Sequence, residues 1–340
     1  MVAQALSLPT PYLLFLGDVA EENYAKTAFG LRDWAGDKCV GECALPGTAV
    51  TTGLARISPA EAAARGARSL VIGIANPGGV LTPTWIPLLI EALDAGLDIV
   101  SGMHAPLSDT PELALRAERL GRQLIDVRRP PAGLPVATGR KRSGRRLLTV
   151  GTDCALGKKY TALAIARGFR ARGVDSDFRA TGQTGIMISG GGIPMDAVIS
   201  DFAAGAAEAL SPDAAPTHWD VIEGQGSLFH PAYAGVTLAL LHGSQPDVIV
   251  VCHDAARTHI LGLPDFPLPP VQEVIDLTLR LGGRTNPEIR CGGVTINTSA
   301  LSEDEAAALL DREADRLCLP VADPMRGGAR FERLLDSCLG

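Results

Sequence analysis

The chain has 340 residues, a hydrophobic fraction of 46%, a charged fraction of 20% and a formal net charge of −7. That length suits two domains with ample buried core, and the acidic balance lacks the basic footprint of a nucleic-acid partner. No apolar run is long enough to span a bilayer, residues 1–10 lack the basic start and apolar stretch of a secretory leader, and the seven cysteines are odd in number and mostly scattered. The expectation is therefore a soluble protein of the reducing cytoplasm with no membrane partner.

In chain order, "YLLFLG" (12–17), "SLVIGIA" (69–75), "LDIVSG" (97–102) and "LIDVR" (124–128) are short apolar runs that read as buried strands. Between them, "PTWIPLLIEALDAG" carries Trp85, Leu88, Leu89, Ala92 and Leu93 at helical spacing, and "TPELALRAERLGRQ" reads as a further helix. Strands alternating with helices predict a parallel α/β sheet. The loop "NPGGVLTP" (76–83) follows a strand's carboxyl end, where such sheets place ligands, but no G-x-G-x-x-G fingerprint supports a dinucleotide site. Cys252 and Cys318 lie in apolar runs, as small core residues do.

Residues 128–146 are rich in Pro, Gly and Arg and mark a boundary. A Rossmann-like domain is expected over 1–135, a linker over 136–146 and a P-loop-like domain over 147–340. The cluster Arg140, Lys141, Arg142, Arg145 and Arg146 reads as a solvated hinge or as support for a nearby anion.

The second half alternates again. Strand "RLLTVG" runs into "TDCALGKK" and a helix ending near Gly173; strand "SDFRAT" follows. "GQTGIMISGGGIP" reads as a Gly-rich loop opening the helix "MDAVISDFAAGAAEAL". Strand "WDVIEG", helix "GVTLALLHG" and strands "DVIVVCH" and "GGVTIN" come next. The last helices are "SEDEAAALLDREADRL", with a capping signature at Ser302 and Glu305, and "GARFERLLDSCL".

Backbone N–H groups of a Gly-rich turn at a helix start converge on one spot and favour an anion. Gly151, Thr152, Asp153, Cys154 and Gly157 supply that shape, and Lys158 adds a point charge. Two features depart from a Walker A loop: Gly151 and Gly157 enclose five residues rather than four, and Lys159 stands where a Ser or Thr would hold Mg²⁺. An ammonium has donors only and cannot ligate a metal. A second cation suits a ligand with more negative charge than one pyrophosphate, such as coenzyme A.

The spacing resembles the G-T-D-x-x-x-G-K loop of dethiobiotin synthetase-like P-loop enzymes. That resemblance implies a Mg²⁺-holding role at Glu223 in "DVIEGQGSLFHP" and an adenine-side Asn at Asn297 in "GGVTINT". The chain as a whole is more closely similar to the bacterial D-glutamate N-acetyltransferase family, long catalogued as a domain of unknown function. "VGTDCALGKKYTAL", "ATGQTGIMISGGGIPMDAVISDFAAGAAE", "VIEGQGSLFHPAYAGVTLALLHGSQPD", "CHDAARTHI", "SGMHAPLSDTPELALRAE" and "LIDVRRPP" carry the likeness. It implies a Rossmann-like domain followed by a P-loop domain, and acetyl transfer from acetyl-CoA, as cosubstrate, to the amine of a D-amino acid, chiefly D-glutamate. The alternative is an ATP-dependent ligase or kinase of dethiobiotin synthetase type, which alone would need Mg²⁺ with ATP. A nucleotide-sensing module without turnover is a third reading. A small-molecule substrate and a homo-oligomer are expected, and no resident metal.

Acyl transfer needs a base for the ammonium, donors for the oxyanion and cations for the substrate carboxylates. Glu223 at a strand end reads as base, metal holder or helix cap; His230, seven residues on, reads as a proton-transfer group or a loop histidine. The phosphate-side set is Gly151, Thr152, Asp153, Cys154, Gly157, Lys158, Lys159, Tyr160 and Asn297. For the amino acid, His253 and Arg257 follow an apolar strand, Arg326 follows another, and Gln183, Thr184, Gly191 and Gly192 flank the expected helix start. A thiol at a helix start can be acidic, so a thioester on Cys154 is a minor reading.

Overall fold

A computed structural model describes residues 6–76 and 78–340; the first five residues and Pro77, in the loop expected at 76–83, lie outside the described residues. The chain divides into two compact units. Among the described residues, one holds 6–131 together with Gly182–Ala197, the other Ala132–Thr181 and Val198–Gly340.

The first unit runs β1 (Leu6–Ser7), β2 (Tyr12–Phe15), α1 (Lys26–Ala35), β3 (Cys39–Cys43), α2 (Pro59–Ala64), β4 (Ser69–Ile72), α3 (Ile86–Asp94), β5 (Asp98–Ser101), α4 (Pro111–Leu120) and β6 (Leu124–Asp126). Among the described residues its main sheet is five parallel strands in the order β3-β2-β4-β5-β6. β2, β4 and β5 are buried throughout, which is why they read as unbroken apolar runs rather than alternating ones. β3, "CVGEC", has no such run. Its Glu42 is fully buried, with the carboxylate accepting from Thr52 N at 2.7 Å, Thr52 Oγ1 at 2.5 Å and Arg56 at 3.3 Å.

The second unit opens with β7 (Arg145–Gly151), α5 (Lys158–Ala171) and β8 (Ser176–Arg179). The segment that follows belongs to the first unit: α6 (Gln183–Ser189) and β9 (Gly191–Gly192). Thus residues 182–197, expected with the second domain, pack with the first. Ile186, Met187 and Ile188 are buried there, Tyr12 donates its hydroxyl to Met187 O at 3.2 Å, and β9 pairs antiparallel with β1. The expected loop is therefore itself a helix, and the helix expected at 195–210 starts only at Ser200.

The second unit resumes with α7 (Ser200–Leu210), β10 (Trp219–Ile222), α8 (Ala234–Ser244), β11 (Val248–Asp254), β12 (His259–Ile260), β13 (Leu263–Pro267), α9 (Val271–Gly282), β14 (Arg290–Asn297), α10 (Glu303–Leu317), β15 (Val321–Ala322) and α11 (Gly328–Leu339). Its main sheet is parallel in the order β15-β14-β11-β7-β10-β8. The connection from β7 leads to one edge and that from β10 to β11 leads towards the other. The carboxyl end of β7 is thus a switch point, where open α/β sheets hold ligands. The capping box at Ser302 and Glu305 is formed on both sides. Cys252 is buried in β11, whereas Cys318 is exposed, because it ends α10 in the left-handed region at φ 52° and turns its thiol outward.

Candidate active site

The loop after β7 is built as its sequence suggests. Gly157 adopts φ 102°, a value that favours glycine, and α5 starts at Lys158. The Lys158 ammonium is buried and donates to Asp153 O at 2.6 Å, so it lies within the arch; burial pushes its pKa down. Burial likewise lowers Lys159, against the opposing charge of Glu223, and its ammonium stands 4.4 Å from the centre of the Tyr160 ring.

Asp153 ties the loop to the segment after β11. One carboxylate oxygen accepts from Cys154 N at 2.6 Å; the other accepts from Arg257 Nη1 at 2.9 Å and Leu261 N at 2.8 Å. Arg257 also donates to Cys154 O at 2.6 Å and Ala155 O at 3.3 Å. The guanidinium expected to grip a substrate carboxylate instead clamps the phosphate loop, because its planar fork reaches that loop's carboxylate and outward carbonyls together. Asp153, expected among the phosphate contacts, brings a negative charge and serves as the clamp's acceptor.

Glu223 ends β10. It is 4% exposed, and its Oε2 accepts from Thr181 N at 2.9 Å. Gly224 N donates to Thr149 Oγ1 at 2.9 Å, and a Cβ at Gly224 would meet Thr149 O at 1.7 Å. The Glu-Gly pair is thus what brings this carboxylate close against β7. Thr181 also donates to Glu223 O at 2.7 Å and accepts from Gln225 Nε2 at 3.0 Å. Sequence reasoning missed Thr181 and Gln225 as supports, although each lay in a motif already singled out.

His230 is 4% exposed, with its ring 4.5 Å from that of Tyr233. Its Nδ1 accepts from Ala232 N at 3.1 Å, and its Nε2 lies 3.9 Å from Asp153 Oδ1. That accepted bond assigns the neutral ring's proton to Nε2. In this state His230 offers a proton towards the loop rather than a lone pair. Burial raises the Cys154 thiol, the reverse of the acidic thiol that a thioester intermediate needs. Asp153, Cys154 and His230 bring ligand atoms within 4.8 Å of one another, but the protonated Nε2 and the raised thiol make them poor metal ligands.

His253 Nδ1 lies 3.0 Å from Thr152 Oγ1, and burial lowers its pKa, so it is held neutral against the loop. Asn297 spends its amide on the sheet end, donating to Asp254 Oδ2 at 3.1 Å and accepting from Ser299 N at 3.1 Å. Arg326 donates to Thr298 Oγ1, Thr298 O and Leu301 O at 2.7–3.1 Å. It braces the turn before α10. Gln183, Thr184, Gly191 and Gly192 lie in the first unit, where Thr184 Oγ1 is 3.2 Å from Thr27 Oγ1. Gly190 closes α6 at φ 88°, and Gly191 and Gly192 form β9 rather than opening a helix. A carbonyl end repels anions, and here Lys38 Nζ caps it through Ile188 O at 2.9 Å and Ser189 O at 3.2 Å.

The loop, Glu223, His230, His253 and Arg257 therefore converge at one end of the second unit's sheet. Comparisons with known proteins agree with this architecture. Residues 38–130 match a "Domain of unknown function (DUF1611_N) Rossmann-like domain", and residues 135–335 match a "Domain of unknown function (DUF1611_C) P-loop domain". A protein of Tritonibacter scottomollicae named D-glutamate N-acetyltransferase is 51% identical over 97% of this chain and 98% of its own length. One of the same name from a Pseudoalteromonas species is 46% identical over 95% and 97%. The crystal structure of a DUF1611 family protein from Anabaena variabilis superposes with a TM-score of 0.84 at 34% identity, covering 97% of this chain and 99% of that one. The chain belongs to the DUF1611 family, with its Rossmann-like and P-loop domains.

Proposed function

We propose that this protein is an acyltransferase that moves the acetyl group of acetyl-CoA to the amine of D-glutamate. The observation that carries the activity is similarity at 46–51% identity, along nearly the whole chain, to two proteins named for that reaction. The geometry favours the cosubstrate: Lys159 places a second ammonium where a Mg²⁺-nucleotide loop needs a hydroxyl oxygen, and its charge opposes a divalent cation beside Glu223. The residues present do not fit Mg²⁺ in its ordinary P-loop place.

In this reading the loop N–H groups and Lys158 hold the diphosphate of acetyl-CoA. Glu223, steadied by Thr181, takes the proton of the substrate ammonium. The freed amine forms the amide bond to the acetyl carbon, the carbon–sulfur bond breaks, and the second proton lost by the nitrogen passes to the departing sulfur to give the thiol. The reducing cytoplasm suits a protein whose cysteines are all unpaired among the described residues.

The test offers the protein acetyl-CoA with D-glutamate and, separately, ATP with the same acceptor. Thiol release that requires D-glutamate, without ATP turnover, is the expected result. ATP turnover without thiol release would favour a ligase or kinase instead.

A further inference from the structure

Beside the phosphate loop, within the second unit, lies a cleft of about 390 Å³ whose lining includes Leu268, Pro270, Ile296 and Leu309. Its volume is in the range of small-molecule sites, roughly 300–1,000 Å³. Two of the lining side chains, His253 and Arg257, are bonded to the loop: His253 Nδ1 to Thr152 Oγ1 at 3.0 Å, and Arg257 Nη1 to Cys154 O at 2.6 Å. The cleft therefore adjoins the loop. The lining also includes Glu313 and Arg316 of α10, paired at 2.7 Å, with the arginine side chain 47% exposed. Its guanidinium donates through Nε and Nη2 to the half-buried Glu313, and its exposed face is available to an incoming anion.

We propose that this cleft takes the 3′-phosphoadenosine end of acetyl-CoA, with the base between Pro270 and Leu309 and the 3′-phosphate on Arg316. The inference rests on the acetyl-CoA reading above and deepens it. The diphosphate on the loop and the adenosine in the adjoining cleft are two parts of one ligand, and the 3′-phosphate is what separates coenzyme A from ADP and ATP. Arg316 is then the residue that makes the site choose, while Glu313 competes with the phosphate for the same guanidinium.

The experiment compares kcat/KM for acetyl-CoA and acetyl-dephospho-CoA, which differ only in the 3′-phosphate, in the parent and in Arg316→Gln and Glu313→Gln. The parent should prefer acetyl-CoA by about tenfold, the scale of one charge-assisted contact discounted for exposure. Arg316→Gln should bring the ratio close to one, and Glu313→Gln should raise it. Calorimetric titration with coenzyme A and dephospho-CoA should show the same order. Equal use of both thioesters by the parent, or an unchanged ratio in Arg316→Gln, overturns the assignment while leaving acetyl transfer intact. Absence of coenzyme A binding and thiol release in the parent overturns the acetyl-CoA reading and this one with it.

Discussion

In the proposed reaction Glu223 is the base, since His230 Nδ1 already accepts from Ala232 N. Glu223→Gln keeps the shape and can still accept from Thr181 N, so coenzyme A binding should hold while turnover falls by roughly 10²–10⁴-fold. His230→Asn should leave the acid limb of the pH–rate profile in place. Near-parent turnover in Glu223→Gln, with a flattened acid limb in His230→Asn, would return the base role to His230. The sequence made the loop and Glu223 legible, since both depend on local order: glycine spacing, and a carboxylate at the end of an apolar run. It did not reveal what Arg257 and Arg326 do, because their partners are backbone carbonyls and a buried carboxylate brought near by the fold, up to 104 residues away for Arg257 and Asp153. The proton position on His230 was equally hidden; it hangs on one N–H from Ala232.

Strands deep in the two sheets were readable, as burial on both faces leaves unbroken apolar runs. Short or polar elements were not: β3 hides a buried Glu42, and β12 has two residues. α9 did carry a signal, the stripe Val271, Val274, Ile275, Thr278 that it buries. At the amino ends of β8 and β10 a polar cluster links two neighbouring strands: His218 Nδ1 lies 2.9 Å from Asp175, its Nε2 3.2 Å from Asp220 and 3.9 Å from Asp177, and Arg179 pairs with both Asp177 and Asp220. Burial by itself would lower the His218 pKa, but Asp175 and Asp220 outweigh it and the net shift is upward from 6.5. A raised histidine pKa stabilises the folded state fully below the unfolded value, and that stability is lost as pH rises through the folded one. The urea midpoint should therefore fall from weakly acid to weakly alkaline pH, and His218→Gln should flatten that slope. An identical slope in the variant would show that the cluster does not set it.

At the scale of the molecule, the first unit is discontinuous: α6 comes from beyond β8 and packs on α1. A fragment ending at Pro131 keeps every strand of the five-stranded sheet but lacks the helix held by Tyr12, Thr27 and Lys38. It should unfold at lower temperature than the same unit in the whole chain, with weaker amide protection in α1. Equal protection in both would mean that α6 is an ornament on a self-sufficient fold.

The same interruption has a consequence for synthesis. Lys38 meets its partner at a separation of 150 residues and Tyr12 at 175. A ribosome that has released residue 131 must still add the stretch up to Ala197 before the missing helix can dock, roughly 3–13 s at about 5–20 residues per second. For those seconds the α1 surface faces the cell uncovered, and the amino-terminal half waits on the carboxyl-terminal half to finish it.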